Sequence, residues 1–359
     1  MNIECQPLVS IVVNNYNYAQ FLTQAIDSAL SQTYPHTEVI VVDDGSTDNS
    51  GDVIASYGDR IIAIFQTNGK QGKAFNSGFA ASKGEIIIFL DADDYLYPYA
   101  VERIVGMWEP KFTKVHYYLD VVDANGESRG FSYPQGNQPL STGEVWRSVI
   151  SVGTYRGTPT SGNALNRKAM ENVFPIPDEF NTTSDDYLSV LIPLYGEVAA
   201  IEEPLGAYRI HTTNQWALTT VSAERIRRFV RHDLQRCVLL QQKATELGYE
   251  VPHDLNIRFF GRVWSRLASL KLEPQEHLVK SDRSIVLMYW GIRALWKYSS
   301  YNWQKRVIFS LWFIWVALMP LPLAKPAINW LFAPQFRPKV IAQTLNTIRL
   351  LVSRRVAVK

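Results

Sequence analysis

The sequence has little cysteine, no acidic residue beyond Asp282 and no apolar leader at its start, and each shortage removes a class of protein. Cys5 and Cys237 are the only cysteines in 359 residues. Two are too few for a disulfide scaffold and show no CxxC or Cys/His spacing for zinc, so a reducing compartment is expected. Met1 to Gln6 contains an acid and no apolar run, which gives no sign of a secretory leader. No GxGxxG follows the first apolar run, which argues against a dinucleotide enzyme. Gly72-Lys73-Ala74 lacks the upstream glycine and the hydroxyl of a Walker A loop. Internal repeats and low-complexity tracts are also missing.

What is present divides in two. A hydrophobic share of 47% with 19% charged residues suits a globular chain of one large or two modest domains. The formal net charge of +2 conceals an asymmetry: residues 281–359 carry twelve Lys or Arg against the single acid Asp282, a net of +11, which leaves the first 280 residues at −9. The two regions are prepared for different surroundings. Val307 to Ala324 holds no charged residue and is flanked by Lys305-Arg306 and Lys325, and six of the ten Trp fall after position 281. A spanning helix needs about 20 apolar residues, and Pro320 and Pro322 interrupt this run. A span and a buried helix remain as alternatives. An interfacial or re-entrant anchor fits best, since Trp rings sit at headgroup depth and cations attract anionic lipid. Nucleic acid is not an expected partner, because the tail's aromatics alternate with aliphatic runs instead of lining a basic groove.

Short β-branched runs at Val9 to Val13, Val39 to Val42, Ile61 to Phe65 and Ile86 to Leu90 alternate with helical spacing. That alternation predicts a doubly wound α/β sheet with parallel crossovers. Phe21-Leu22, Ala25-Ile26 and Ala29-Leu30 predict an amphipathic helix ending near Tyr34-Pro35. A second helix should follow Asp44-Gly45-Ser46-Thr47-Asp48, capped by Ser46, Thr47 or Asp48, and a third should occupy roughly Gly72 to Ser82. Further on, a strand is expected at Val115 to Leu119, a turn at residues 123–126, Gly/Pro/Ser/Thr-rich loops over Gly130 to Gly162 and a short helix around Ser184 to Leu194. Arg-rich helices are expected over Ala223 to Ala244 and Asn256 to Leu272. The organisation read from this is residues 1–220 as catalytic domain, 221–280 as helical extension and 281–359 as basic Trp-rich tail.

Ligands of such sheets bind beyond the carboxyl ends of the strands, so the polar residues after each apolar run are the candidates. They are Asn14-Asn15-Tyr16-Asn17, Asp43-Asp44 and Asp91-Ala92-Asp93-Asp94. Alternation along an extended segment would put Asp91 and Asp93 on one side, where two hard oxygens can hold Mg²⁺ or Mn²⁺ beside a diphosphate. The plain alternative is a strand end whose carboxylates cap the next helix. Asp43 could accept from a base imide or a ribose hydroxyl, or form only an Asx turn.

These blocks together, Val9 to Val13 with Tyr16-Asn17, Val41 to Asp48, Asn76-Ser77-Gly78, Lys83-Gly84-Glu85 and Leu90 to Asp94, resemble in order and spacing the family 2 glycosyltransferases of the GT-A fold. The likeness covers roughly residues 7 to 110 and weakens towards residue 215. It implies a GT-A type, mainly parallel doubly wound sheet followed by the α-helical, membrane-associating extension. It further implies inverting transfer from a nucleotide-sugar donor. On that resemblance Asn15, Tyr16 and Asn17 lie by the nucleoside, Asp43 binds the base, and Asp91 and Asp93 hold ribose and metal, Asp93 being the more direct ligand. Asp186 is the general base, with Asp185 as its alternative, and a helix N-cap is the bland reading of both. In Tyr208-Arg209-Ile210-His211-Thr212-Thr213-Asn214, His211 would complete the metal shell and Arg209 would pair with phosphate. Asn14 stands where the family commonly has Pro, and Phe75 where it has Arg, so Lys70 or Lys73 would supply the missing cation at the diphosphate.

The acceptor implied is a saccharide or lipid-linked hydroxyl, as in polysaccharide synthesis, at the cytoplasmic face of an anionic membrane. A nucleotidyltransferase is the enzymatic rival, though it wants a Gly-rich cationic loop after the first strand. A catalytically silent membrane-tethered scaffold is the third reading, opposed by the crowding of so many carboxylates.

Overall fold

The computed structural model describes residues 6–136, 138–211 and 221–332. Cys5, the Thr212 to Asn214 end of the Tyr-Arg-Ile-His block and the tail beyond Phe332 lie outside the described residues. The chain divides into two compact units, residues 1–214 with 236–252, and residues 215–235 with 253–359.

The first unit is built on β1 (Val9–Asn15), whose β-branched residues are buried on both faces, as a central parallel strand requires. It is joined through α1 (Ala19–Leu30) to β2 (Thr37–Asp43), then through α2 (Ser50–Ala55) to β3 (Ile62–Phe65), and through α3 (Lys70–Ala81) to β4 (Ile86–Asp91). The order β3-β2-β1-β4 is parallel throughout, with Asn15 level with Asp43 and Asn14 level with Asp91. The apolar positions read as one helical face, Phe21, Leu22, Ala25, Ile26 and Ala29, are all buried in α1. Gly78 of the Asn-Ser-Gly block sits where α3 crosses β1, and a Cβ there would collide with Val12 Cγ1. β3 is the outer strand, with Ile62 and Phe65 exposed.

Beyond β4 the sheet is mixed and not parallel as the crossovers alone suggested. The chain adds β5 (Tyr95–Leu96), α4 (Ala100–Met107), β6 (Phe112–Val122), β7 (Ser128–Tyr133), α5 (Trp146–Val152), β8 (Asn163–Asn166), α6 (Arg167–Met170), α7 (Ser184–Leu191) and β9 (Glu197–Arg209). β8 runs antiparallel to both β4 and β6, and β9 returns parallel to β6. The turn read at residues 123–126 joins β6 to β7, with Gly126 at φ 86°. The core packs Ile11, Leu22, Ile26, Val41, Ile88, Leu90 and Tyr117 together.

The second unit is helical. α8 (Ala223–Glu246) begins in this unit, and its residues from Arg236 onward are grouped with the first. α9 (Phe260–Leu272), α10 (Ser284–Tyr298), α11 (Trp303–Leu318) and α12 (Leu321–Phe332) follow. A single core of Val263, Leu267, Leu287, Leu295, Phe313, Val316 and Ile328 runs through them. The boundary read after residue 280 therefore separates no two bodies. The apolar run of residues 307–324 breaks at Pro320, as proline lacks the backbone donor a continuing helix needs. Among the described residues no helix is long and apolar enough to cross a membrane.

Candidate active site

The carboxyl ends of β1, β2 and β4 bring three polar clusters together. Asp43 is buried and held in place: it accepts from Asn15 Nδ2 (2.7 Å), Ser46 Oγ (2.6 Å) and Ser46 N (3.1 Å). Asn15 thereby orients the carboxylate. Asn17, at φ 58°, staples the loop, its Oδ1 accepting from Thr47 N at 2.7 Å and its own N–H donating to Ser46 Oγ at 2.8 Å. Tyr16 is 40% exposed, with Lys70 Nζ 6.0 Å from its ring centre. Of the two lysines considered for the diphosphate, Lys70 thus lies by the nucleoside cluster. Lys73 instead forms a surface ion pair with Asp178 at 2.7 Å.

The segment Asp91 to Asp94 is a turn, not an extended strand, closed by Asp94 N–H donating to Asp91 O at 2.9 Å. The alternation argument for Asp91 and Asp93 fails for that reason, yet the two carboxylates still act on each other. Burial first, and the charge of Asp93 second, push the Asp91 carboxyl up to about 7, against the opposing hydrogen bond from Asn14. Asn14 Nδ2 donates to Asp91 Oδ1 at 2.7 Å, which gives this departure from the family pattern a role. Asp94 is pushed well above the usual carboxylate range by burial, then by Asp93 and Asp91. It is a scaffold residue, accepting from Ser161 Oγ at 2.6 Å and Arg209 N at 2.9 Å. His211 Nε2 meets Asp93 Oδ2 at 2.9 Å, and its ring packs against Tyr18 and Phe21.

Arg209 is not a phosphate fork. It is 2% exposed, donates to Asp93 O, Asp123 O, Ala124 O and Gln24 Oε1, and lies over Phe21 and Tyr95. The sequence block that suggested phosphate binding instead locks the Asp93 loop to β9. Phe75, in place of the family's Arg, stacks on Phe89 with ring centres 4.0 Å apart.

The acid pair opens α7. Asp186 accepts from Arg236 Nη1 with both oxygens at 2.7 Å, and Asp185 adds its charge to the load on Asp91. Arg236, 50 residues downstream on α8, had no local sequence signal; only the fold reveals it. The same is true of Lys114 on β6, which shares with Asp185 and Asp186 the lining of a cavity of about 120 Å³.

Metal chemistry suits the donors here. Hard carboxylate oxygens crowd at Asp91 and Asp93, and the Asp93 and Asp185 charges add to burial in pushing Asp91 up, a part of the shift that a cation would relieve. Among the described residues no three acid, His or Cys side chains converge tightly enough to hold an ion unaided. Magnesium and manganese sites commonly complete their shells with substrate phosphate and water.

Comparison with known proteins agrees with this arrangement. Residues 10–150 match glycosyl transferase family 2. An uncharacterized glycosyltransferase of Nostoc sp. is 39% identical over 213 residues, 57% of this chain and 66% of that protein. One from Rickettsia felis is 39% identical over 146 residues, 39% of this chain and 24% of that protein. The chain thus spans less than two thirds of the length of either relative. S. aureus TarS 1–349 in complex with UDP shares the fold at 15% identity and a TM-score of 0.50, over 92% of this chain and 93% of that one. Its complex with UDP-GlcNAc matches at 14% identity and a TM-score of 0.51, over 90% and 91%. The family match falls on the very strands whose ends carry Asp43, Asp91 and Asp93, so residues 10–150 are similar to glycosyl transferase family 2, and the first unit shares the GT-A fold.

Proposed function

We propose that the protein transfers a glycosyl group, with inversion, from a nucleotide-sugar donor to a hydroxyl of a saccharide or lipid-linked acceptor, and that it works on the cytoplasmic face of an anionic membrane. The observation that carries this reading is the crowding of Asp91, Asp93 and the Asp185 charge at the strand ends, with Asp91 pushed up to about 7. Carboxylates brought that close favour a site that receives a cation and a diphosphate.

Asp43, held by Asn15 and Ser46, is aimed to accept from the donor's base or ribose, with Tyr16 and Lys70 beside it. Asp93, with Asp91, would bind Mg²⁺ or Mn²⁺ through carboxylate oxygens, and the ion when bound would neutralise the diphosphate as a leaving group. His211 is assigned to orienting Asp93 through its hydrogen bond. Asp186 takes the proton of the acceptor hydroxyl as that oxygen bonds to the anomeric carbon and the bond to the diphosphate breaks. Arg236 fixes the Asp186 carboxylate in place; Asp185 is the alternative base, favoured by its reach to Asp91.

The membrane part rests on the second unit. Leu311 (59%), Trp315 (45%), Leu318 (54%) and Leu323 (50%) are exposed on α11 and α12, among the cations Lys305, Arg306 and Lys325. A helix face of that kind lies in the headgroup layer without spanning it.

The deciding experiment is calorimetric binding of a panel of UDP- and GDP-sugars with Mn²⁺ or Mg²⁺, beside Asp93→Ala. Metal-dependent binding of one donor, lost in Asp93→Ala, is the expected result. A folded protein that binds none of the donors returns the chain to the silent-scaffold reading, and release of pyrophosphate in place of nucleoside diphosphate supports a nucleotidyltransferase.

A further inference from the structure

We propose that the cavity lined by the acid pair is a subsite for a sugar hydroxyl, with Lys114 as its specificity-determining residue; this deepens, and rests on, the glycosyl-transfer reading.

Lys114 is 2% exposed, an unusual position for a lysine that is not paired with an acid. Its Nζ donates to Tyr155 Oη at 2.8 Å, and the ammonium lies 5.3 Å from that ring's centre. Among the described residues no ion pair includes it, so one of its three donors has a partner. Its field is felt nearby: burial first and the Lys114 charge second hold the imidazole of His116 down to about 3. The cavity of about 120 Å³ that Lys114 lines is bounded by Phe75 and Phe89 on an apolar side and by Thr160, Asp185 and Asp186 among its polar groups.

This lining selects a class of ligand. With Arg236 paired to Asp186, the ammonium of Lys114 faces the remaining charge of Asp185 and the wall is close to neutral, which favours no net charge in the ligand. A carboxylate oxygen can accept a further hydrogen bond and the ammonium can donate one. A neutral hydroxyl is both at once. A cavity of about 120 Å³ has room for a hydroxymethyl or a pair of ring hydroxyls. The stacked Phe75 and Phe89 rings supply an apolar wall for the sugar's C–H face. A site built this way rejects a sugar that lacks the hydroxyl, because its buried polar groups would then be left unmatched.

The hydroxyl belongs either to the donor sugar or to the acceptor, and one set of measurements separates the two. Full-length Lys114→Met keeps the straight chain and removes the donors. Tyr155→Phe, which removes only the hydroxyl that holds Lys114, serves if the first variant does not fold. Calorimetry with Mn²⁺ compares the UDP- or GDP-sugar that the wild type binds with the same nucleoside diphosphate. A second titration adds methyl glucoside and methyl N-acetylglucosaminide to the diphosphate-loaded protein. Loss of about tenfold or more in nucleotide-sugar affinity, with diphosphate affinity unchanged, assigns the hydroxyl to the donor. The same loss confined to the methyl glycosides assigns it to the acceptor. Folded variants that bind every ligand as the wild type does overturn the subsite and leave glycosyl transfer standing. A wild type that binds no nucleotide sugar overturns both.

Discussion

The two units treat their acids in opposite ways. In the first, the half-buried Asp91 and the buried Asp94 lie beside Asp93, and desolvation first and the Asp93 charge second push both upward. In the second, Asp282, the one acid of the last 79 residues, is buried yet held below the usual range, because hydrogen bonds from His277 and Arg266 outweigh its desolvation. The first unit crowds like charges at the ends of its strands. The second answers its acid internally and turns cations and apolar side chains outward. Pairing with cations is what a scaffold does; like charges crowded in a crevice are what a ligand site shows.

The sharpest way to test that contrast is within the acid pair of α7. Asp186→Asn keeps the shape and removes the proton acceptor, so kcat for glycosyl transfer is expected to fall about 10²–10⁴-fold with nucleotide-sugar affinity little changed. Asp185→Asn should cost less. A larger loss in Asp185→Asn would move the base to Asp185, whose charge already reaches Asp91.

A smaller effect is expected at the outward face of the second unit. Leu311 and Leu318 are exposed on α11, so replacing both by Glu should leave the fold intact while placing acids among cations and apolar side chains. Each such side chain contributes at most about 1.5–3 kcal/mol on full burial in a bilayer. Co-sedimentation with vesicles containing anionic lipid should fall by an order of magnitude or more. Nucleotide-sugar binding should be unaffected. Unchanged sedimentation would show that this face is not what meets lipid.

Much of the first unit was legible because its signals are local. The β-branched runs became β1 to β4, the three-and-four spacing became α1, and the carboxylates after each run did gather at one sheet end. What sequence reasoning missed was contact at long range. Arg209 and Asp93 are 116 residues apart, and nothing local told that this guanidinium would be spent on backbone carbonyls instead of phosphate. Lys73 was drawn away by Asp178, more than one hundred residues on. The mixed half of the sheet was invisible for a related reason: the short strands β5 and β8 carry too little pattern to announce a direction. Asn14 looked like a defect until its side chain proved to hold Asp91.

The other side of the comparison is tested at the acid that the second unit does pair. Asp282 accepts from Arg266 Nε at 2.9 Å and Nη2 at 2.5 Å, and meets His277 Nε2 at 3.0 Å. Its pKa is lowered in the folded state. The sign follows from linkage: the unfolded chain binds the proton more readily, so the stabilisation is fully present above the unfolded value of about 3.9 and is lost as pH falls through the lower folded value. Six of the ten Trp lie after position 281, so tryptophan fluorescence chiefly follows this unit. Its melting temperature should drop as pH is taken from 5 towards 2, on a slope that Asp282→Asn flattens. At pH 7 that variant should itself be less stable by about 3–5 kcal/mol, because Arg266 would be left buried without its counter-charge. Equal slopes in the two proteins would mean that Arg266 and His277 do not hold the acid as the geometry implies. The contrast between a paired acid and crowded ones would then rest on the first unit alone.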